Sequence, residues 1–389
     1  MMRWIILAFG LFWTTISFAT DYYVGGAGAS DGNPGTAAQP FATIQKAASI
    51  AKGGDIVNIR AGLYRETITP ANSGGGGSPI LFRPDNGAKV TISGFNVAGD
   101  AGWTVHSGNI YKKSITLPVN GYQSTVTSNT SLLANQIFKD GNMMFEARWP
   151  KVSSMGDLFN ILKQKFLPEN VFQPTWLNDP ALPNIPGGLV GATLITNGWF
   201  ITTSVTVNSH SGSQINFGAI WDNTDAGNNV RRSYYITGKL GLLTQAKEWH
   251  YEGGTLYFWQ EGGGSPTGVE YKARNWGFDL QNKSYITIQG LTFFGCEPAT
   301  GNESTSNVTI DNIRASYMNH NVRHDRGVWQ GYGESQQVGV KLLGSNNVFK
   351  NSEMAFASSN GVWIGPNGRV ENNLMHDFGY DGMWGAPVN

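Results

Sequence analysis

Fifteen consecutive positions, His320 to Glu334, hold two His, two Arg, an Asp, a Glu, a Trp and a Tyr, in a chain of 389 residues with six His in all and 14% charged residues. Such a mixture suits proton transfer and anion holding. Asp325 supplies a carboxylate, His320 and His324 carry protons, Arg323 and Arg326 anchor anions, and Trp329 and Tyr332 offer ring faces. Three more carboxylates follow at Glu353, Asp377 and Asp381. Paired carboxyl groups are the equipment of glycosidic hydrolysis: one, protonated, donates to the leaving oxygen while its partner attacks the anomeric carbon or activates water. Elimination from a uronic acid would use other groups. Arg323 or Arg326 would neutralise the sugar carboxylate, His320 or His324 would take the C5 proton, and Tyr332 would act as acid. Ca²⁺ could replace the arginines, although no dense Asp group suited to a hard cation is visible. Trp363, Tyr380 and Trp384 add faces that would stack on sugar rings or pack in a core. A solvated loop and water-facing carboxylates are the plain alternatives.

Groups so far apart need a scaffold, and a repeat supplies one. Ile286-Thr287-Ile288-Gln289-Gly290-Leu291 aligns with Val308-Thr309-Ile310-Asp311-Asn312-Ile313 at an offset of 22, and Val348, Asn351 and Phe356 align with Val370, Asn373 and Phe378 at the same offset. Short β-branched runs separated by Asn and Gly at that period predict the turns of a parallel β-solenoid. On this offset Glu353 stacks on Met375, and position 355 on Asp377. Glu353 and Asp377 then stand one rung (about 4.8 Å) and two residues (about 6.6 Å) apart, a diagonal near ~8 Å. Flexible carboxylates at that spacing can meet either the about 5 Å of a retaining pair or the about 6.5–9.5 Å of an inverting one. The run 320–334 breaks the period, which predicts a loop leaving the coil. Asn346, Asn347, Asn351, Asn372 and Asn373 read as bend residues rather than chemistry.

Upstream, Arg3, an apolar run from Ile5 and small residues at Ser17 and Ala19 read as a secretory signal over residues 1–19, too short for a comfortable membrane span. Residues 20–102 read as an N-terminal cap and first coils. Tyr22-Tyr23-Val24 and Ile56-Val57-Asn58-Ile59 are strands, with helical spacing from Thr43 to Ala51 between them and Thr43 as N-cap. A helix there would shield the open end of the solenoid. From 103 to 278 the period is lost. Strand-like pieces and an Asp140-Gly141-Asn142 turn predict an inserted, mainly β subdomain, with a helix around Leu158 to Phe166. Coils resume over 279–389 and end on an uncapped rung, as a C-terminally truncated solenoid would.

The opening, YYVGG…DGNPGT…QPFATIQKAASIAKGGDIVNIRAGLYRE, resembles right-handed parallel β-helix proteins of the pectate lyase-like superfamily. QIFKDGNMMFEARWP, YITIQGLTFFG and NGRVENNLMHDFGYDGMWGA resemble the branch with family 120 β-xylosidases and family 141 glycoside hydrolases, in which a β-sandwich-like insert interrupts the helix early. The resemblance implies an all-β, right-handed parallel β-helix with a capping helix and an inserted β subdomain. It also implies a polysaccharide or oligosaccharide substrate and carboxylates on the helix face.

Composition agrees with an exported, sheet-rich protein. There are 51 Gly, 13 Trp, 14 Tyr and 20 Phe, with 27 basic against 27 acidic residues. That balance gives no nucleic-acid surface, and nothing beyond the signal predicts a membrane association. The single cysteine, Cys296, cannot form an internal disulfide and reads as buried in the stack. The expectation is therefore a secreted or periplasmic glycoside hydrolase needing no cofactor. A polysaccharide lyase and a non-catalytic glycan-binding protein are the alternatives.

Overall fold

The computed structural model describes residues 19–118, 136–198, 201–220, 232–320, 338–358, 360–380 and 388. Short β-branched runs wind into three parallel sheets. The first holds Asp21–Val24, Ile56–Ile59, Ile80–Pro84, Ile286–Gln289, Thr309–Asp311, Val348–Lys350 and Arg369–Glu371. The second holds Gly62–Tyr64, Val90–Ser93, Thr292–Phe294, Arg314–Ser316, Glu353–Ala357 and Leu374–Phe378. The third holds Trp276–Asp279, Glu297–Gly301, Val338–Leu342 and Asn360–Ile364. Alternate residues turn inward, so Phe82, Ile92, Phe278, Ile288, Phe293, Ile310, Phe349, Met354 and Val362 fill one continuous core. This is the all-β parallel β-helix that the repeat predicts, with its helical cap and its insert.

At the N-terminal end the helix Ile44–Ala48 buries Ile44, Ala47 and Ala48. Thr43 caps it by accepting from the Lys46 amide at 3.1 Å, and Glu66 accepts from the amides of Ile44 and Gln45 at 3.0 and 2.8 Å. Cys296 is fully buried, as expected, and burial pushes its thiol up to about 12. Among the described residues no helix is long and apolar enough to cross a membrane.

The asparagines make the corners. Between the first and second sheets, Gly290, Asn312, Asn351 and Asn372 have φ of 69, 53, 53 and 51°. Asparagine tolerates this left-handed region because its short amide bonds locally. The Asn372 amide donates to Asn351 Oδ1 at 2.9 Å, and the Asn351 amide to Asp311 Oδ1 at 2.8 Å. Asn347 is fully buried: it accepts from the Val308 amide at 2.9 Å and donates to the carbonyls of Thr305 (2.9 Å) and Gly344 (2.8 Å). Asn347→Ala leaves those groups unpaired and is expected to cost about 1–3 kcal/mol. Asn351→Gly, on the surface and free to keep the left-handed corner, should cost well under half as much, a difference that urea-unfolding midpoints will read.

The register corrects one expectation. Thr287 pairs with Thr309 and Thr292 with Arg314, an offset of 22. Val348, however, pairs with Arg369 and Glu353 with Leu374, an offset of 21. The missing residue lies in the turn from third to first sheet. Leu342 still pairs with Ile364, but residues 365–368 replace 343–347, closed by a bond from the Gly368 amide to the Gly365 carbonyl. Glu353 therefore stacks on Leu374, not Met375, and Asp377 falls beside Phe356.

Among the described residues the insert comprises two eight-stranded sheets built mainly from antiparallel pairs. Its strands Ile137–Lys139 and Asn142–Glu146 form the predicted hairpin, with Asp140 and Gly141 both at positive φ (51 and 76°). The helix expected near Leu158 falls earlier, at Met155–Phe159, capped by Ser154, and Lys165–Leu167 is a strand. Phe95–Val97 already belongs to the insert, pairing with Val269–Lys272, while Trp276–Asp279 belongs to the third sheet. The insert thus leaves and rejoins the coil at the corner between the second and third sheets. In a later coil the same corner lies between Arg314–Ser316 and Val338–Leu342, and residues 321–337, where the broken period predicts a loop, lie outside the described residues.

Candidate functional site

Alternation on the second sheet sends Met354 into the core and Glu353 outward, in register with Arg314 and Leu374. The next outward row runs Phe294, Ser316, Ala355 and His376. One residue further, the chain turns towards the third sheet through Gly295, Tyr317, Phe356 and Asp377, at φ of 68, 55, 56 and 55°. Glycine and aspartate adopt that region readily. Bulky aromatics rarely do, and such strain, about 1–3 kcal/mol per residue, is retained where side chains are held for a purpose. Here it lays Tyr317 flat on Phe356, with centroids 4.9 Å apart and planes 11° apart.

Asp377 extends that ladder beside His376. The His376 Nδ1 is 2.7 Å from Asp377 Oδ2, and its Nε2 is 3.5 Å from Glu353 Oε1. Two carboxylates from adjacent coils thus converge on one imidazole. The Asp377 hydrogen bond first, and then Glu353, hold that ring above its ordinary pKa. Arg314 Nε closes the row at 3.5 Å from Glu353 Oε2. All four side chains reach solvent. Beside Glu353 lies an open trough of about 320 Å³, bordered by Asn312, Arg314, Asn351, Asn372 and Leu374.

The insert walls the other side. Phe138 packs among Phe95, Phe294 and Tyr317, with centroids 4.7, 5.1 and 4.9 Å away. Behind them, Lys272 is buried, donating to the Met318 carbonyl at 2.6 Å and lying 3.8 Å from Glu297. His320 Nδ1 meets the Tyr380 hydroxyl at 2.8 Å, and Gln136 of the insert donates to the same oxygen at 3.4 Å. Desolvation, reinforced by Lys272, lowers the His320 pKa to about 3. A depressed histidine adds stability above its unfolded pKa of about 6.5, and loses it progressively as pH falls towards the folded value. His320→Gln should therefore flatten the acid limb of the stability curve between pH ~6 and ~4, by an amount on the order of a few kcal/mol. Thermal denaturation across that range checks it.

Of the residues singled out in the sequence, Glu353 and Asp377 are brought together, and His320 stands at the insert junction. Trp363 sits on the third sheet, paired with Lys341, away from this face. Arg323, His324, Asp325, Arg326, Trp329, Tyr332, Asp381 and Trp384 lie outside the described residues. Sequence reasoning passed over His376, Arg314 and the Tyr317–Phe356 stack. The signal for His376 was its place next to Asp377. The two rings are hidden because residues 321–337 stretch their spacing from 22 to 39.

No family model matches the chain. A 78-residue stretch, 20% of the chain, is 42% identical to the uncharacterized protein YwoF of Bacillus subtilis (strain 168) and covers 17% of it. A solved glycoside hydrolase superposes with a TM-score of 0.52 at 13% identity, over 94% of this chain and 84% of that one. The structure of XylC with xylose also gives a TM-score of 0.52, at 16% identity over 95% of this chain; the chain spans 55% of XylC's length. The chain shares with these two proteins an all-β fold of parallel sheets.

Proposed function

We propose that the protein is a secreted carbohydrate-active enzyme, a glycoside hydrolase of the β-helix branch with families 120 and 141, whose carboxylate pair is Glu353 and Asp377. The convergence of the two carboxylates on His376, in the open beside an aromatic stack, carries this reading. A carboxylate on each nitrogen of one ring holds the pair nearer the about 6.5–9.5 Å of inverting enzymes than the about 5–5.5 Å of retaining ones. One carboxyl group protonates the leaving oxygen and the other activates water, while His376 positions both. The chemistry needs no metal. Asp325 and Asp381, neighbours of this face in sequence, remain candidates for either role. Fold likeness to a glycoside hydrolase and to the xylose-bound XylC supports a glycan as substrate.

Elimination is the weaker reading: of the bases it would use, His320 is engaged with the Tyr380 hydroxyl at the insert junction, and His324 lies outside the described residues. A panel of neutral and acidic oligosaccharides decides between them. Hydrolysis releases reducing ends and saturated products, and an inverting enzyme gives the opposite anomer by NMR. Unsaturated uronate ends would establish the lyase. Binding without turnover across the panel would leave a glycan-binding protein.

A further inference from the structure

Along the same edge of the solenoid, two coils before Asn312, the first sheet carries a second cavity of about 530 Å³. Tyr23, Asn58 and Arg83 are register partners on successive strands there, and Arg60 and the turn Asp85–Gly87 complete the lining. Alternation dictates the outward row, since Val57, Ile59 and Phe82 beside it are fully buried in the core. Two guanidinium groups and one carboxylate thus line the cavity. Arg60 stands 3.7 Å from Asp85, over the Tyr23 ring at 5.8 Å, and is held by the carbonyls of Gly25 and Ala37. Arg83 is exposed and faces no carboxylate among the described residues.

The floor is unusual. Asn58 is 4% exposed, and its Oδ1 accepts from Arg83 Nε at 3.0 Å, which fixes the amide orientation. Its Nδ2 then has no acceptor. A buried donor without a partner is costly, and this one lies at the floor of a cavity bordered by two guanidinium groups. Arg83 keeps the outer edge of its fork for a planar oxyanion.

We infer that this cavity is a binding site for the carboxylate of an acidic sugar residue, held by Arg83 and Arg60 with the Asn58 amide beneath them. The anion site stands on this cavity alone, while the saccharide class rests on the glycan reading above. The site lies outside the Glu353–His376–Asp377 cluster but on the same edge of the coil. Rungs about 4.8 Å apart put its Asn86–Gly87 turn roughly 10 Å from Asn312 at the trough by Glu353. An oligosaccharide anchored here by an acidic unit would run along the corner asparagines towards the carboxylates.

Calorimetric titration of the full chain with tetragalacturonate, xylotetraose and sodium sulfate tests the inference, using a Glu353→Gln background so that turnover does not intrude. Tetragalacturonate should bind at least tenfold more tightly than the neutral tetramer. Arg83→Gln, a surface change, should abolish that preference, and Asp85→Asn should strengthen binding severalfold. Equal affinity for both tetramers, or a preference unchanged by Arg83→Gln, overturns the site. Sulfate binding at Arg83 with no preference for the acidic tetramer overturns the saccharide assignment. Because binding is read without catalysis, loss of the hydrolase reading leaves the anion result intact.

Discussion

Glu353→Gln and Asp377→Asn should each lower hydrolysis by about 10²–10⁴-fold in kcat while leaving the fold intact, the range over which a positioned acid or base acts. Both side chains are in the open, 43% and 46% exposed, so neither amide creates a buried unpaired group. His376→Gln should behave differently. The imidazole positions the two carboxylates, so its loss should cut kcat by a smaller factor and shift the pH profile. The sign is fixed by its environment: carboxylates on both ring nitrogens raise its pKa, so its charge is complete below its ordinary pKa and is lost as pH rises through the raised value. The alkaline limb of the rate profile should therefore move to lower pH in Asp377→Asn, where the closer of the two carboxylates is gone. An NMR titration of His376 in the two proteins reads the same shift directly. Full activity in both carboxylate variants would sink the pair and direct attention to Asp325 and Asp381.

Phe138→Ala is expected to have the largest structural effect, destabilising by about 3–5 kcal/mol, as for other fully buried aromatics. The ring is completely buried and makes edge contacts with Phe294 and Tyr317 on the solenoid. Its loss opens a cavity at the seam, not within either body. The consequence should reach the site, because Tyr317 is held between Phe138 on one side and Phe356 on the other. Phe138→Ala should raise KM more than a substitution of comparable cost deep in the coil, such as Phe293→Ala. Denaturant melts paired with steady-state kinetics separate the two outcomes. Equal KM changes in both would show that the insert does not support this face.

Two sets of corners explain what was readable beforehand. Asn312, Asn351 and Asn372 declare themselves in sequence because left-handed backbone with lateral amide bonds needs a particular residue type at a fixed period. The other corner uses the same backbone with Tyr317, Phe356 and Asp377, whose types announce nothing. Their common role shows only when Ser316, Ala355 and His376 are seen in one row.

The sequence by itself determined the parallel coil, its buried alternation, the capping helix, the hairpin at Asp140–Gly141 and the presence of an insert. Each is written in local periodicity or turn chemistry. Tertiary structure alone decided which groups meet. One residue fewer in the turn at 365–368 changes the register from 22 to 21, which brings His376 to the diagonal position from Glu353 and sets Asp377 against the ring ladder. Phe138 of the insert meets Phe294 and Tyr317 although all three are far apart in the chain, because the coil stacks the latter two corners on successive rungs. Pairings of such long range leave no local pattern. The carboxylates were visible in the sequence, and their meeting place was set by the stacking of rungs.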